Sequence, residues 1–158
     1  MVRKILLGLL LLPSFGLAGD HDAAVRECTQ LVTDYAYFRD RPDADRVAAL
    51  FTDDAKFSLM GTHFNGREAI RKRVAAGQGG PVFRHMMSTI KIQVAATGDQ
   101  ATGVSYVTVY QGSAEALPQG MLAPMAIGEY HDQFVKTDQG WKIATRTFQP
   151  VFLNTPDS

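Results

Sequence analysis

Residues Gly128–Arg146 read GEYHDQFVKTDQGWKIATR. Two runs rich in β-branched and aromatic side chains flank the turn tetrapeptide TDQG, so the stretch reads as a β-hairpin. Alternation places Tyr130, Asp132 and Phe134 on one face of the first strand and Glu129, His131 and Gln133 on the other. A tight turn at TDQG sets Asp132 nearly opposite Arg146 on the same face. Two states are open to that acid. Paired, it grips Arg146. Unpaired in apolar surroundings, it keeps a proton and donates a hydrogen bond.

Upstream, VFRHMMSTIKIQVAA (82–96) and ATGVSYVTVYQG (101–112) have the same strand character, with TGDQ between them. The connection SAEALPQGMLAP (113–124) is longer than a hairpin needs and is a candidate lid or pocket rim. Before the strands the periodicity is helical. From Asp22 onward, Val25, Cys28, Leu31, Val32, Tyr35 and Phe38 recur at three- and four-residue spacing, until Pro42 ends the helix. A short helix through Val47 and Leu50 follows, broken by TDDA. KFSLMG is then expected as a strand and THFNG as a turn. REAIRKRVAA is expected as a third helix, with Asn65 and Glu68 at capping-box spacing and Arg71, Lys72 and Arg73 on a solvated face. Helices followed by antiparallel strands define an α+β class. The strand 101–110 has bulky residues on both faces, so helices cover one side and either a long loop or a second subunit the other, of which a homodimer contact through the sheet is the favoured expectation.

The first residues are a different kind of segment. MVRK supplies a basic start, Ile5–Leu12 an apolar run, and Gly16-Leu17-Ala18 a small-x-small cleavage site. Residues 1–18 are therefore expected to be a signal peptide, cleaved near Ala18 on export to the periplasm or outside, leaving 19–158 as a single domain. The apolar run is shorter than the roughly 20 residues a bilayer span requires, so no stable membrane insertion is expected. Loss of Arg3 and Lys4 leaves 14 of the 16 basic residues against 16 acidic ones. That balance gives no electrostatic case for nucleic acid. The lone Cys28 lies on the apolar helix face and is expected to be buried.

The segments YAYFRDRPDADRVAALFTDDAKF, FNGREAIRKRV, FRHMMSTIKI and GEYHDQFVKTDQGWKIATR, in that order, resemble the SnoaL-like domains of the nuclear transport factor 2-like superfamily. The resemblance implies a conical curved antiparallel sheet wrapped around a pocket and closed by three helices. It also implies site residues. Tyr35 falls at the oxyanion tyrosine of ketosteroid isomerases and the pocket tyrosine of scytalone dehydratase, and Asp132 at the isomerase oxyanion acid. Leu59 stands where those isomerases keep their general-base Asp, so that route lacks its proton acceptor. His85 matches the catalytic His of scytalone and bile-acid dehydratases, while Asp40 and Arg146 match an aspartate and an arginine of the latter. The carboxylate that partners this His on the following strand has no counterpart, because Ser105, Val107 and Thr108 occupy that stretch. Tyr106, Tyr130 and Phe134 are expected beside the pocket.

Each candidate has a plain structural alternative: His85 as a strand His satisfied by a carbonyl, Tyr35 as a core tyrosine, the methionines as gap fillers. No nucleophile elbow, phosphate loop or redox Cys motif occurs, and the four His residues lack paired metal spacing. No metal and no cofactor are expected. Two functions stay open at this level: a cofactor-independent lyase or isomerase of dehydratase type, with His85, Tyr35 and Asp132 as catalytic residues, or a non-catalytic module binding a small hydrophobic molecule.

Overall fold

Apolar spacing along the first helix sets the architecture, because its buried stripe must be covered. The computed structural model describes residues 15–154. Most of the expected signal peptide lies outside the described residues, but helix α1 (Phe15–Asp40) already runs across the expected cleavage site. Its buried face carries Ala24, Cys28, Leu31, Val32, Tyr35, Ala36 and Arg39. Pro42 stops it, and Asp43 caps the short α2 (Ala44–Ala49) by accepting the Arg46 N–H at 3.1 Å.

Six strands follow: β1 (Phe51–Leu59), β2 (Thr62–Asn65), β3 (Val82–Val94), β4 (Gln100–Gly112), β5 (Ala126–Thr137) and β6 (Gly140–Leu153). Helix α3 (Arg67–Ala75) lies between β2 and β3. The strands form one sheet in the order β2-β1-β6-β5-β4-β3. All pairs are antiparallel except β1 with β6, which is parallel. Register shifts interrupt β1, β3 and the β5–β6 ladder, and such bulges bend a sheet. Helix α1 packs against β3, β4 and β6, so the core sits on the side that the helices cover.

Three local expectations change. The short helix does end ahead of TDDA, but the strand expected from Lys56 already begins at Phe51. TDDA therefore lies inside β1, where Phe51 pairs with Ile143 and Phe51 and Ala55 are fully buried. Asp53 is kept in place by Arg67, 2.7 Å away, which also donates twice to the Phe51 carbonyl. Asp53 and Asp54 fall in the bulge between the β6 pairs of Phe51 and Lys56, and those flanking pairs carry them in extended backbone despite the poor strand propensity of Asp. THFNG is no turn but β2, and the reversal falls one step earlier at Met60-Gly61, both with positive φ (49° and 81°). Two positive φ values in a two-residue loop suit the strand twist, and the glycine takes the second without strain. Finally, the capping box does not form. Asn65 is paired with Lys56 inside β2, Gly66 occupies the cap without a side-chain bond, and Glu68 bonds Arg71 instead.

Candidate active site

The deepest chemistry lies where the end of α1 meets β3. His85 faces inward on β3, and Asp40 is the last residue of α1. The His85 backbone N–H donates to Asp40 Oδ2 at 2.9 Å, and its Nδ1 lies 2.6 Å from Asp40 Oδ1. Both side chains are 8% exposed. One carboxylate thus holds both the backbone and the ring of a single residue. With Nδ1–H given to the carboxylate, the neutral imidazole keeps its lone pair on Nε2.

His85 lines a cavity of about 280 Å³ shared with Tyr35, Phe57, Leu59, Tyr130 and Phe148. The Tyr35 and His85 rings meet edge to face at 6.4 Å, and Tyr35 meets Tyr130 in the same manner at 5.6 Å. Behind the two tyrosines lies the fully buried Arg146, its Cζ 4.3 Å from the Tyr35 ring and 4.6 Å from the Tyr130 ring. Asp132, directly opposite in register, accepts its Nε–H at 2.8 Å and its Nη2–H at 2.7 Å. Burial works to lower the Arg146 pKa, but the charge and hydrogen bonds of Asp132 raise it above the usual arginine value. The Tyr130 hydroxyl is pushed well above its ordinary pKa, by burial first and then by its neighbour Tyr35. It stays neutral.

The predicted residues divide accordingly. Tyr35, His85, Leu59 and Tyr130 share the cavity wall, with Asp40 directly behind His85. Asp132 is not a cavity-facing donor, since both of its oxygens are taken up by the Arg146 guanidinium. Of the two states open at the sequence level, the paired one forms. Phe134 is buried in the core and off the cavity wall. Tyr106 is on the opposite face of the sheet and 44% exposed, because β4 alternation turns Ser105 and Val107 inward instead. His131 is also on that outer face, beside Glu129 at 2.9 Å. Residues 113–124 contribute nothing to the wall, whereas Gln111 and Met125 at their two ends do.

His85 is also not without a carboxylate: its partner comes from the end of α1 rather than from the following strand. Two charged wall residues escaped the sequence reading, Arg39 and Arg73, besides apolar ones such as Phe57, Phe83 and Phe148. Arg73 is not on a fully solvated face, for its guanidinium lies 6.0 Å from the Phe64 ring at the cavity edge. The signal for Arg39 was present, since it follows Tyr35 by four residues and so continues the buried stripe. Among the described residues no group of three or more His, Cys, Asp or Glu is placed to hold a metal ion, and no helix is long and apolar enough to cross a membrane.

A curved sheet whose covered face carries a cavity with an inward His–carboxylate pair defines the class: an α+β, nuclear transport factor 2-like fold, as in a similar Novosphingobium aromaticivorans protein (19% identity, TM-score 0.70, 89% of this chain and 92% of that one). Within it, the chain belongs to the SnoaL-like domain family, whose model matches residues 22–147. Rv3472, a Mycobacterium tuberculosis protein of unknown function, is 26% identical with a TM-score of 0.76 over 89% of this chain and 79% of that one. A candidate scytalone dehydratase from Novosphingobium aromaticivorans is 23% identical, with a TM-score of 0.75 over 90% and 93% of the two chains. The type 2 hexachlorocyclohexane dehydrochlorinase LinA is 17% identical, with a TM-score of 0.73 over 87% and 91%. No curated protein matches the chain in sequence.

Proposed function

We propose that the chain is an exported, cofactor-independent lyase of dehydratase type acting on a small oxygenated, largely apolar substrate. The observation that carries this reading is the 2.6 Å contact between Asp40 and His85 Nδ1 at the wall of the cavity. It leaves Nε2 as the basic nitrogen on the side of the substrate. In the proposed step Nε2 takes a proton from a substrate carbon, and the C–H electron pair becomes the new C=C bond. The hydroxyl on the neighbouring carbon departs and recovers that proton from the imidazolium, leaving as water. Tyr35 donates a hydrogen bond to a substrate oxygen as charge develops there. Two similarly folded proteins have names that denote eliminations, scytalone dehydratase and hexachlorocyclohexane dehydrochlorinase, which supports this class. Leu59, an apolar wall residue, offers no base for steroid-type isomerisation.

Export and dimerisation belong to the same proposal. The amino-terminal pattern supports cleavage near Ala18. The outer face exposes Met86 and Tyr106, supporting coverage by a second copy. The decisive experiment is to recover a cavity ligand by native mass spectrometry and incubate it with wild type and His85→Ala. Loss of water that the substitution slows by about 10²-fold or more supports the lyase. Tight binding without product over long incubation overturns it in favour of a binding module.

A further inference from the structure

The cavity wall holds an imidazole and two guanidinium groups, and no carboxylate lines it among the described residues. Arg39 is the unusual member. It is 7% exposed, and its Nη1 is fully buried with no hydrogen-bond partner among the described residues. Four other arginines hold an acid, and although Arg146 Nη1 is also buried without a partner among the described residues, its Nε and Nη2 are both on Asp132. Arg46 meets Asp43, Arg67 meets Asp53, Arg71 meets Glu68 and Arg146 meets Asp132. The acid adjacent to Arg39 in sequence, Asp40, is turned to His85.

A guanidinium has five N–H donors and keeps its charge at any physiological pH. Taking it out of water without an acceptor is strongly unfavourable. The face of the group is satisfied, with Cζ 4.9 Å from the Phe83 ring centroid. Its Nη1 N–H groups are not. Position in the last turn of α1 suits a cation, but helix polarity alone does not explain burial of an unbonded Nη1 in a cavity wall. Phe83 also packs beside His85, ring centroids 6.2 Å apart, so the cation and the base flank the same aromatic wall.

We infer that the cavity takes a substrate bearing a carboxylate, which Arg39 anchors while His85 faces the reacting carbon. This rests on the lyase reading for its second half only. A planar carboxylate matches the guanidinium fork in shape and neutralises its single charge. Arg73 at the cavity edge adds attraction during entry. The remaining wall is largely apolar, which suits a hydrocarbon or aromatic body on the acid.

The test compares hexanoate, benzoate and cinnamate with their primary amides by calorimetry on the mature protein. At least one acid is expected to bind about tenfold or more tightly than its amide, and Arg39→Gln to remove that preference while Arg39→Lys keeps part of it. Circular dichroism checks that each variant is folded. In wild type, ¹⁵N NMR of the Arg39 side chain should shift on addition of the preferred acid, a readout that needs no substitution. The inference is overturned if no acid outbinds its amide, if Arg39→Gln keeps the preference, or if inorganic phosphate competes as well as the acid. Turnover of an uncharged ligand that depends on His85 but not on Arg39 overturns it while leaving the lyase standing. Arg39-dependent acid binding with no turnover does the reverse.

Discussion

Asp40 Oδ1 lies 2.6 Å from His85 Nδ1, and Asp40 Oδ2 accepts the His85 backbone N–H. The acid therefore acts on the ring through geometry and tautomer together. Asp40→Asn keeps the shape but can give its amide N–H to Nδ1, which favours the wrong tautomer. The expected result is a kcat lower by about 10–100-fold with KM little changed, measured by steady-state assay on the recovered substrate. An unchanged kcat would remove Asp40 from the site.

Tyr35→Phe keeps the ring against Phe51, Phe57 and Tyr130 and removes only the hydroxyl. Thermal stability should change little. If the hydroxyl donates to charge developing on the substrate, kcat falls by about 10²–10³-fold. A melting point unchanged alongside unchanged turnover would make Tyr35 a packing residue.

Asp132 and Arg146 form a bidentate pair with side chains 1% and 0% exposed. Asp132→Ala or Arg146→Ala alone strands a buried charge and is expected to cost about 3–5 kcal/mol in urea unfolding. Replacing both by Leu removes both charges and should cost clearly less than the two single losses combined. Additive losses would argue against a coupled pair.

Cys28 is fully buried, and burial, with Glu27 and Asp132 adding negative charge nearby, pushes its thiol up to about 12 from 9.0. The folded state thus holds a proton that the unfolded state releases first. Stability from this group is complete below about pH 9 and declines as pH rises from there toward 12. Cys28→Ala should flatten that alkaline slope, read by urea midpoints across the range. At pH 8 the native thiol should resist a disulfide reagent that labels it promptly in urea.

The order of elements was legible in the residues because it depends on near-neighbour spacing. The stripe Cys28, Val32, Tyr35 announces a helix, and TDQG between two alternating runs announces the β5–β6 hairpin. The same hairpin count predicted that Asp132 and Arg146 would stand opposite. Local spacing misplaced the start of β1, expected at Lys56 but found at Phe51, and missed β2 at THFN, where pairing with the rest of the sheet and a turn at Met60-Gly61 outweigh local propensity.

Sequence by itself determined the α+β order and the buried stripe of α1. Through the family resemblance it raised the expectation that the Asp132 face of β5 points inward and that Tyr35 and His85 share a pocket, whose wall both do line. Tertiary structure alone decided what those residues touch. Asp40 and His85 are 45 positions apart, and no periodicity connects the end of a helix to a strand beyond four intervening elements. The state of Asp132 was equally undecided, since its role depends on whether a cation is near enough to use both oxygens. Arg39 completes the contrast. One turn beyond Tyr35 it continues the buried stripe, a signal the residue-by-residue reading passed over, but only packing against Phe83, with no salt bridge to an acid among the described residues, makes it a buried cation on a cavity wall.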